Sequence, residues 1–286
     1  MVNKSVSNNN VLLTGIPRSG TTLTCNLLNK LPDVVALHEP MDVTEFPMFK
    51  RNNVLLDKVS GFFHETRQLI LKDKKAPSKQ ENNKVPSNPF GSAKNAEGTR
   101  KTLVSRGYID ITKPLSDVFT LVIKHPAAFT AELKALKQVF PCFAVVRNPL
   151  SALASWNSVD APVRSGHVPA AENLDPQLSA ALSRIDNRAD RQIYILSWFF
   201  ETYEKLLPRQ NVIRYEDMVS SGGKALSVIT PEAEALHEEL QSKNKNPLYD
   251  AVLFRELGKK LLGSEGAYWS FYSKDDVRAV MEEGKQ

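Results

Sequence analysis

The chain has 286 residues, 42% of them hydrophobic and 24% charged, which excludes a disordered or fibrous protein and fits an ordinary globular one. Its net charge of +5 comes from 37 Lys and Arg against 32 Asp and Glu. The basic residues are scattered and no RNA- or DNA-module motif occurs, so a nucleic-acid partner is not expected and an anionic small ligand is compatible. No run of 18 apolar residues is present, the N-terminus lacks an apolar signal segment, and Cys25 and Cys142 both sit among apolar neighbours; a membrane partner is therefore not expected, and a reducing, cytoplasmic location is.

In chain order, residues 1–10 are polar and read as a frayed end, and residues 11–14 form a first buried strand. Gly15-Ile-Pro-Arg-Ser-Gly-Thr-Thr22 follows, then a helix with Leu23, Leu27 and Leu28 on one face that ends near Lys30, ahead of Pro32. Gly15 and Gly20 let the backbone approach an anion, and the free N–H groups at the helix start point toward it. Arg18 adds a cation; Ser19, Thr21 and Thr22 add hydroxyls. Against the phosphate-loop pattern G-x-x-x-x-G-K-[ST], Gly15, Gly20 and Thr22 fit, while Thr21 stands where the lysine belongs.

A second strand, 34–37, ends in His38-Glu39-Pro40, at the kind of strand edge where open α/β sheets bind ligands. Residues 54–70 read as one or two helices. Phe46, Phe49, Phe62 and Phe63 read equally as a cavity lining or as helix core. Residues 72–102 are dense in Lys, Asn, Ser, Pro and Gly and read as a substrate lid or a partly disordered loop. Strand 118–123 ends in Lys124-His125-Pro126 and is followed by a helix over 127–139. The continuous apolar strand 142–146 has the pattern of a parallel strand covered on both faces; it ends in Arg147-Asn148-Pro149 and leads to a helix carrying Leu150, Leu153 and Trp156.

Residues 158–178 form a second surface excursion, 188–207 a strongly amphipathic helix stopped by Pro208, and 211–215 a fifth strand closing on Glu216-Asp217. Helices over 231–240, 249–262 and from residue 275 complete the chain, with a turn at 263–266. Aromatics Tyr268, Trp269, Phe271 and Tyr272 read as core packing ahead of an adenine-binding role. Strand and helix alternate as in βαβ units. The reading is one α/β domain over 1–286, with 41–106 and 158–190 as substrate or lid insertions.

A nucleoside-triphosphate enzyme holds Mg²⁺ with a loop hydroxyl and an Asp at a neighbouring strand end. Strand 142–146 ends instead in Arg147, with Ser155 eight residues later; no metal is expected. Arg147 and Ser155 supply a second anion pocket, and two pockets suit an adenosine phosphorylated at both ends.

Gly15-Ile-Pro-Arg-Ser-Gly-Thr-Thr-Leu23 and Val145-Val-Arg-Asn-Pro…Ser155 resemble the two cofactor signatures of the sulfotransferase family, and Val212-Ile-Arg-Tyr-Glu-Asp217 looks like its third strand-end motif. The resemblance implies a central parallel sheet of about five strands flanked by helices, similar to P-loop nucleoside triphosphate hydrolases. It implies the cofactor 3′-phosphoadenosine-5′-phosphosulfate (PAPS; product PAP), with Pro17, Arg18, Ser19, Gly20, Thr21 and Thr22 on the 5′-phosphosulfate, and Arg147 and Ser155 on the 3′-phosphate. Tyr215, in the third motif, joins the cofactor-binding set. It further implies metal-independent, in-line sulfuryl transfer to a hydroxyl of a small or medium-sized acceptor, with Arg18 and Lys124 as cations.

Two bases stay open, and His38 is a third possibility that a structural hydrogen bond explains better. Glu39 resembles the catalytic glutamate of the tyrosylprotein and several bacterial sulfotransferases; His125 resembles the catalytic histidine of the cytosolic phenol and steroid enzymes. The form Pro-Arg-Ser-Gly-Thr-Thr-Leu is closer to the first group, since the cytosolic group carries Lys in place of Arg18 and Trp in place of Leu23, and this favours Glu39. The Arg-Lys-Gly segment that the cytosolic group uses near its C-terminus has no match here; Gly263-Ser264-Glu265-Gly266 occupies a comparable place. The alternatives are a P-loop small-molecule kinase and a non-catalytic nucleotide-binding protein of the same fold.

Overall fold

The computed structural model describes residues 9–49 and 52–282. The expected frayed end lies outside these residues as far as residue 8. Among the described residues, nine strands, β1 (Asn10–Gly15), β2 (Val34–His38), β3 (Lys75–Gln80), β4 (Phe90–Lys94), β5 (Arg100–Thr102), β6 (Ser105–Asp110), β7 (Thr120–Lys124), β8 (Cys142–Val146) and β9 (Val212–Arg214), are joined by helices and loops. The helices are α1 (Thr21–Leu28), α2 (Asn52–Asp73), α3 (Pro126–Ala131), α4 (Leu133–Leu136), α5 (Pro149–Asn157), α6 (Pro169–Glu172), α7 (Pro176–Leu182), α8 (Arg188–Leu206), α9 (Tyr215–Ser220), α10 (Ala251–Leu262) and α11 (Lys274–Glu282).

Five strands make one parallel sheet in the order β2-β7-β1-β8-β9, as the alternation of strand and helix predicts. Strands β2 and β8 are buried at every residue, the state of strands covered on both faces, and their unbroken apolar runs follow from it. The chain leaves β1 for the β2–β7 side and later crosses to β8, so the C-terminal end of β1 is the sheet's switch point, where open α/β folds bind ligands. Register lines up the strand ends on either side: His38 pairs with Lys124, and Val146 with Arg214. Glu39 and His125 therefore emerge together on one side, and Arg147 and Tyr215 on the other.

Helix α8 buries Ile193, Leu196, Phe199, Phe200 and Tyr203, the stripe its periodicity predicts. The Tyr203 hydroxyl bonds that of Thr130 at 2.8 Å, and Thr130 bonds Thr14 at 2.7 Å, which ties the end of β1 to α3. Phe200 packs against Tyr268, Phe271 and Tyr272; these aromatics are core. Phe46 and Phe63 are buried as well, Phe63 stacked on Phe140, so the helix-core reading of those phenylalanines holds.

Several elements differ from the sequence expectation. Residues 72–102 contribute β3, β4 and β5 to two antiparallel ribbons, β4 with β5 and β3 with the later β6, and the reading of 54–70 as one or two helices resolves to the single helix α2. The helix expected over 127–139 breaks at Glu132, whose φ of −96° and ψ of 9° leave helical geometry. Residues 231–240 form only a short 3-10 turn, Pro231–Ala235, because Leu236 turns extended to bury its side chain. Tyr215, expected to close a strand, opens α9. Among the described residues no helix is long and apolar enough to cross a membrane.

Candidate functional site

A cavity of about 690 Å³ opens at the switch point, within the usual range for small-molecule sites. Its walls include Pro17, Arg18, Gly20, Thr21, Thr22, Glu39, Lys124, His125, Arg147, Ser155 and Tyr215. Ser19 is the exception among the sequence candidates: it is fully buried, and its hydroxyl donates to the Val145 carbonyl at 2.7 Å. Its work is to fasten the loop to β8.

The loop needs its glycines for space as well as for φ. A Cβ on Gly15 would lie 2.5 Å from the Val145 oxygen, and one on Gly20, at φ 99°, would lie 2.8 Å from the Tyr215 ring. Gly20 caps α1 without a side-chain hydrogen bond to its first turn, so the first-turn N–H groups face the cavity mouth uncapped. The Trp156 indole donates to the Pro17 carbonyl at 2.6 Å and anchors the loop's outer rim. Arg18 holds a left-handed φ of 69°, a conformation a non-glycine residue keeps only when its surroundings enforce it.

Arginines gather on the β8 side. Arg18 donates to the Ser155 hydroxyl at 3.3 Å and to Asn88 at 3.0 Å, and lies 4.6 Å from the Phe90 ring. Burial first, then Arg100 and Arg147, draws its guanidinium down to about 9, which leaves it charged at neutral pH. Arg147 donates to Asn244 at 2.8 Å, to the Arg18 carbonyl at 3.0 Å and to the Lys243 carbonyl, with its guanidinium 4.6 Å from the Tyr215 ring. Arg100 donates to the Ser158 hydroxyl at 2.9 Å and lines the same cavity. Among the described residues none of these three has a carboxylate within salt-bridge reach, and burial together with the neighbouring arginines lowers Arg18 and Arg100. That is the electrostatics of an anion site.

The β2–β7 side is different. Lys124 donates to Glu39 Oε1 at 2.8 Å and Lys79 to Oε2 at 2.5 Å, while His38 Nε2 lies 3.5 Å from Oε1. Burial alone would raise the Glu39 carboxyl; Lys124, then His38 and Lys79, outweigh it and hold it well below the usual range. Glu39 also sits at a left-handed φ of 49°, its N–H bound to the Lys124 carbonyl at 2.8 Å. His125 Nε2 accepts from the Met41 N–H at 3.1 Å, and burial, with Lys124 adding to it against the opposing pull of Glu39, takes the ring down to about 3. His38 is likewise lowered, to about 4, by burial and then Lys124.

Phe90, Arg100 and Lys79, on the ribbon strands, and Asn88, in the connection before β4, escaped sequence reasoning. Lys243 and Tyr249 escaped it too: they belong to a stretch from 239 to 249 that walls the cavity. The Lys243 N–H donates to the Tyr215 hydroxyl at 2.9 Å. Glu216, in the third motif, accepts from Asn148 N–H at 2.9 Å, Asn244 at 2.8 Å and Tyr272 at 2.7 Å, joining the β8 turn to that wall. An acidic residue two positions after a strand end was the available signal.

A model of the sulfotransferase family matches residues 10–229. Among solved structures, the sulfotransferase STF9 of Mycobacterium avium aligns over 97% of this chain and 76% of its own at 15% identity and a TM-score of 0.33. The sulfotransferase STF1 of Mycobacterium tuberculosis H37Rv aligns over 96% and 76% at 12% identity and a TM-score of 0.32. A search of curated protein sequences finds no match.

Proposed function

This chain belongs to the sulfotransferase family, and on that premise we propose that it moves a sulfuryl group from PAPS to a hydroxyl of a small or medium-sized acceptor, with Glu39 as the general base. The observation that carries the reading is one cavity in which an uncapped helix start and three arginines without carboxylates face an ionised glutamate held by two lysines. A nucleotide with phosphates at both ends fits these residues: the 17–22 loop with Arg18 at one end, and Arg147, Arg100, Ser155 and Tyr215 at the other. The space a Gly20 Cβ would fill beside Tyr215 belongs to that cradle. When bound, PAPS supplies the activated sulfuryl group and PAP as the leaving group.

The protein's own work is to orient, to hold charge and to take a proton. Lys124 and Arg18 set cations on the cavity wall. Each Glu39 oxygen accepts one lysine N–H and keeps a lone pair for an acceptor hydroxyl. A carboxylate held this acidic is a weak base, so the proton reaches it only as the hydroxyl oxygen loses electron density. Support for Glu39 over His125 lies in the His125 Nε2 lone pair, which the Met41 N–H already occupies. In the kinase alternative the strand ends beside β1 would carry a metal-binding carboxylate; they carry Lys124 and Arg147.

Glu39→Gln tests the assignment. It should lower sulfuryl transfer from radiolabelled PAPS by roughly 10²–10⁴-fold with PAP binding retained, and full activity in the variant would transfer the role elsewhere.

A further inference from the structure

The proposal above leaves the acceptor undefined, and the wall beside Glu39 carries information on it. Helix α3 begins directly after Lys124 and His125, the two residues that frame Glu39, and α6 packs on α3. Ala127 and Ala128 of α3, Ala170 of α6, Val163 and Val168 on the chain leading into α6, and Val43 after β2 contribute to the cavity. All six side chains are small, aliphatic and without a hydrogen-bonding atom. Ala128, Val163 and Val168 are buried, with the cavity as their open side.

The one ionisable group on this wall is not free to read a substrate. His167 Nδ1 lies 3.1 Å from Glu172 Oε2, and its Nε2 lies 3.3 Å from Arg191. The cations near Glu39, Lys79 and Lys124, are both bound to the Glu39 carboxylate. The remaining cavity cations belong to the arginine side or to the 239–249 wall.

A buried polar group left without a partner is costly, whereas apolar surface moved out of water against such a wall is favourable. A sugar would bring several hydroxyls here with nothing to bond them. An acidic peptide would bring carboxylates to a wall with no unpaired cation. Resting on the sulfotransferase reading, we infer that the acceptor is a neutral, predominantly apolar alcohol or phenol, its hydroxyl at Glu39 and its hydrocarbon body against 127–128 and 161–170. In the transfer the acceptor oxygen forms its bond to sulfur as the bond from sulfur to the donor's phosphate oxygen breaks; the hydroxyl proton goes to Glu39 and PAP leaves.

The test compares 2-naphthol, 1-octanol, glucose and a tyrosine peptide with flanking acidic residues. Each is titrated calorimetrically into the purified protein with and without PAP, and each is then offered with radiolabelled PAPS. The inference expects one or both apolar compounds to bind and to be turned over at least tenfold more efficiently than glucose or the peptide. Ala170→Glu, which adds a charge to a half-buried wall position, should lower that efficiency at least tenfold with PAP affinity unchanged; Ala127→Ser gives a milder change of the same sign should the first variant not fold. Glucose or the peptide binding or reacting best, or neither apolar compound binding, overturns the inference while leaving the donor reading intact. Absence of PAP binding overturns the donor reading, and the apolar wall is then judged by the nucleotide-free titrations alone.

Discussion

The two sides of the sheet's C-terminal edge solve opposite electrostatic problems. On the β8–β9 side Arg18, Arg100 and Arg147 are crowded and desolvated without a carboxylate, held by carbonyls, hydroxyls and aromatic faces. On the β2–β7 side a carboxylate is held by two lysines and flanked by two neutral histidines. The first side is short of negative charge and the second is internally balanced. On the proposed function, this difference lets one side receive the anionic donor while the other keeps a base ionised as a neutral group comes up to it.

The strongest way to break this contrast is Arg147→Ala. It removes donors to the Arg18 carbonyl, Asn244 and the Lys243 carbonyl at once, so it should cost about 2 kcal/mol or more of stability and roughly thirtyfold or more in PAP affinity. Denaturant melts and calorimetry read the two effects. Acid attacks the other side next. His38 and His125 are lowered from 6.5 to about 4 and about 3, so between those values and 6.5 the unfolded chain binds more protons than the folded one. Stability should be full above pH 6.5 and fall below it, at about 1.4 kcal/mol per pH unit for each histidine.

Glu39 has the same sign in a lower window: its contribution is present above its unfolded value and is lost as pH falls through its depressed folded one. Urea midpoints at a series of pH values, repeated on His38→Gln, check the onset; an unchanged slope in that variant would exonerate His38. The smallest effect is expected from Gly20→Ala, which forces a Cβ toward the Tyr215 ring at φ 99° and should cost about 1–3 kcal/mol, read as a lower melting temperature.

The sheet was legible in the sequence because its strands carry unbroken apolar runs, such as 34–37 and Cys142–Val146, the pattern of parallel strands covered on both faces. The loop was legible because Gly15 and Gly20 have no substitute there. The ribbons were not: Lys75–Gln80 contains Pro77 and three charged or amide side chains, and its partner is Ser105–Asp110, far along the chain. No local alternation announces such a pairing, and Arg100 and Lys79 were hidden with it. Ser19 shows the converse, a residue with the right chemistry turned inward onto the Val145 carbonyl, which also accepts from the Ile16 N–H. Nor could spacing choose between Glu39 and His125, since the Met41 N–H that occupies the imidazole is a backbone contact.

Titration of PAP into the wild-type protein, Arg100→Gln and Glu39→Gln by calorimetry tests the division of the cavity most directly. The account predicts tight binding to the wild type, at least tenfold weaker binding to Arg100→Gln, and binding to Glu39→Gln within about threefold of wild type. Loss of PAP binding in Glu39→Gln with Arg100→Gln unaffected would contradict it, placing the nucleotide on the wrong side of the sheet.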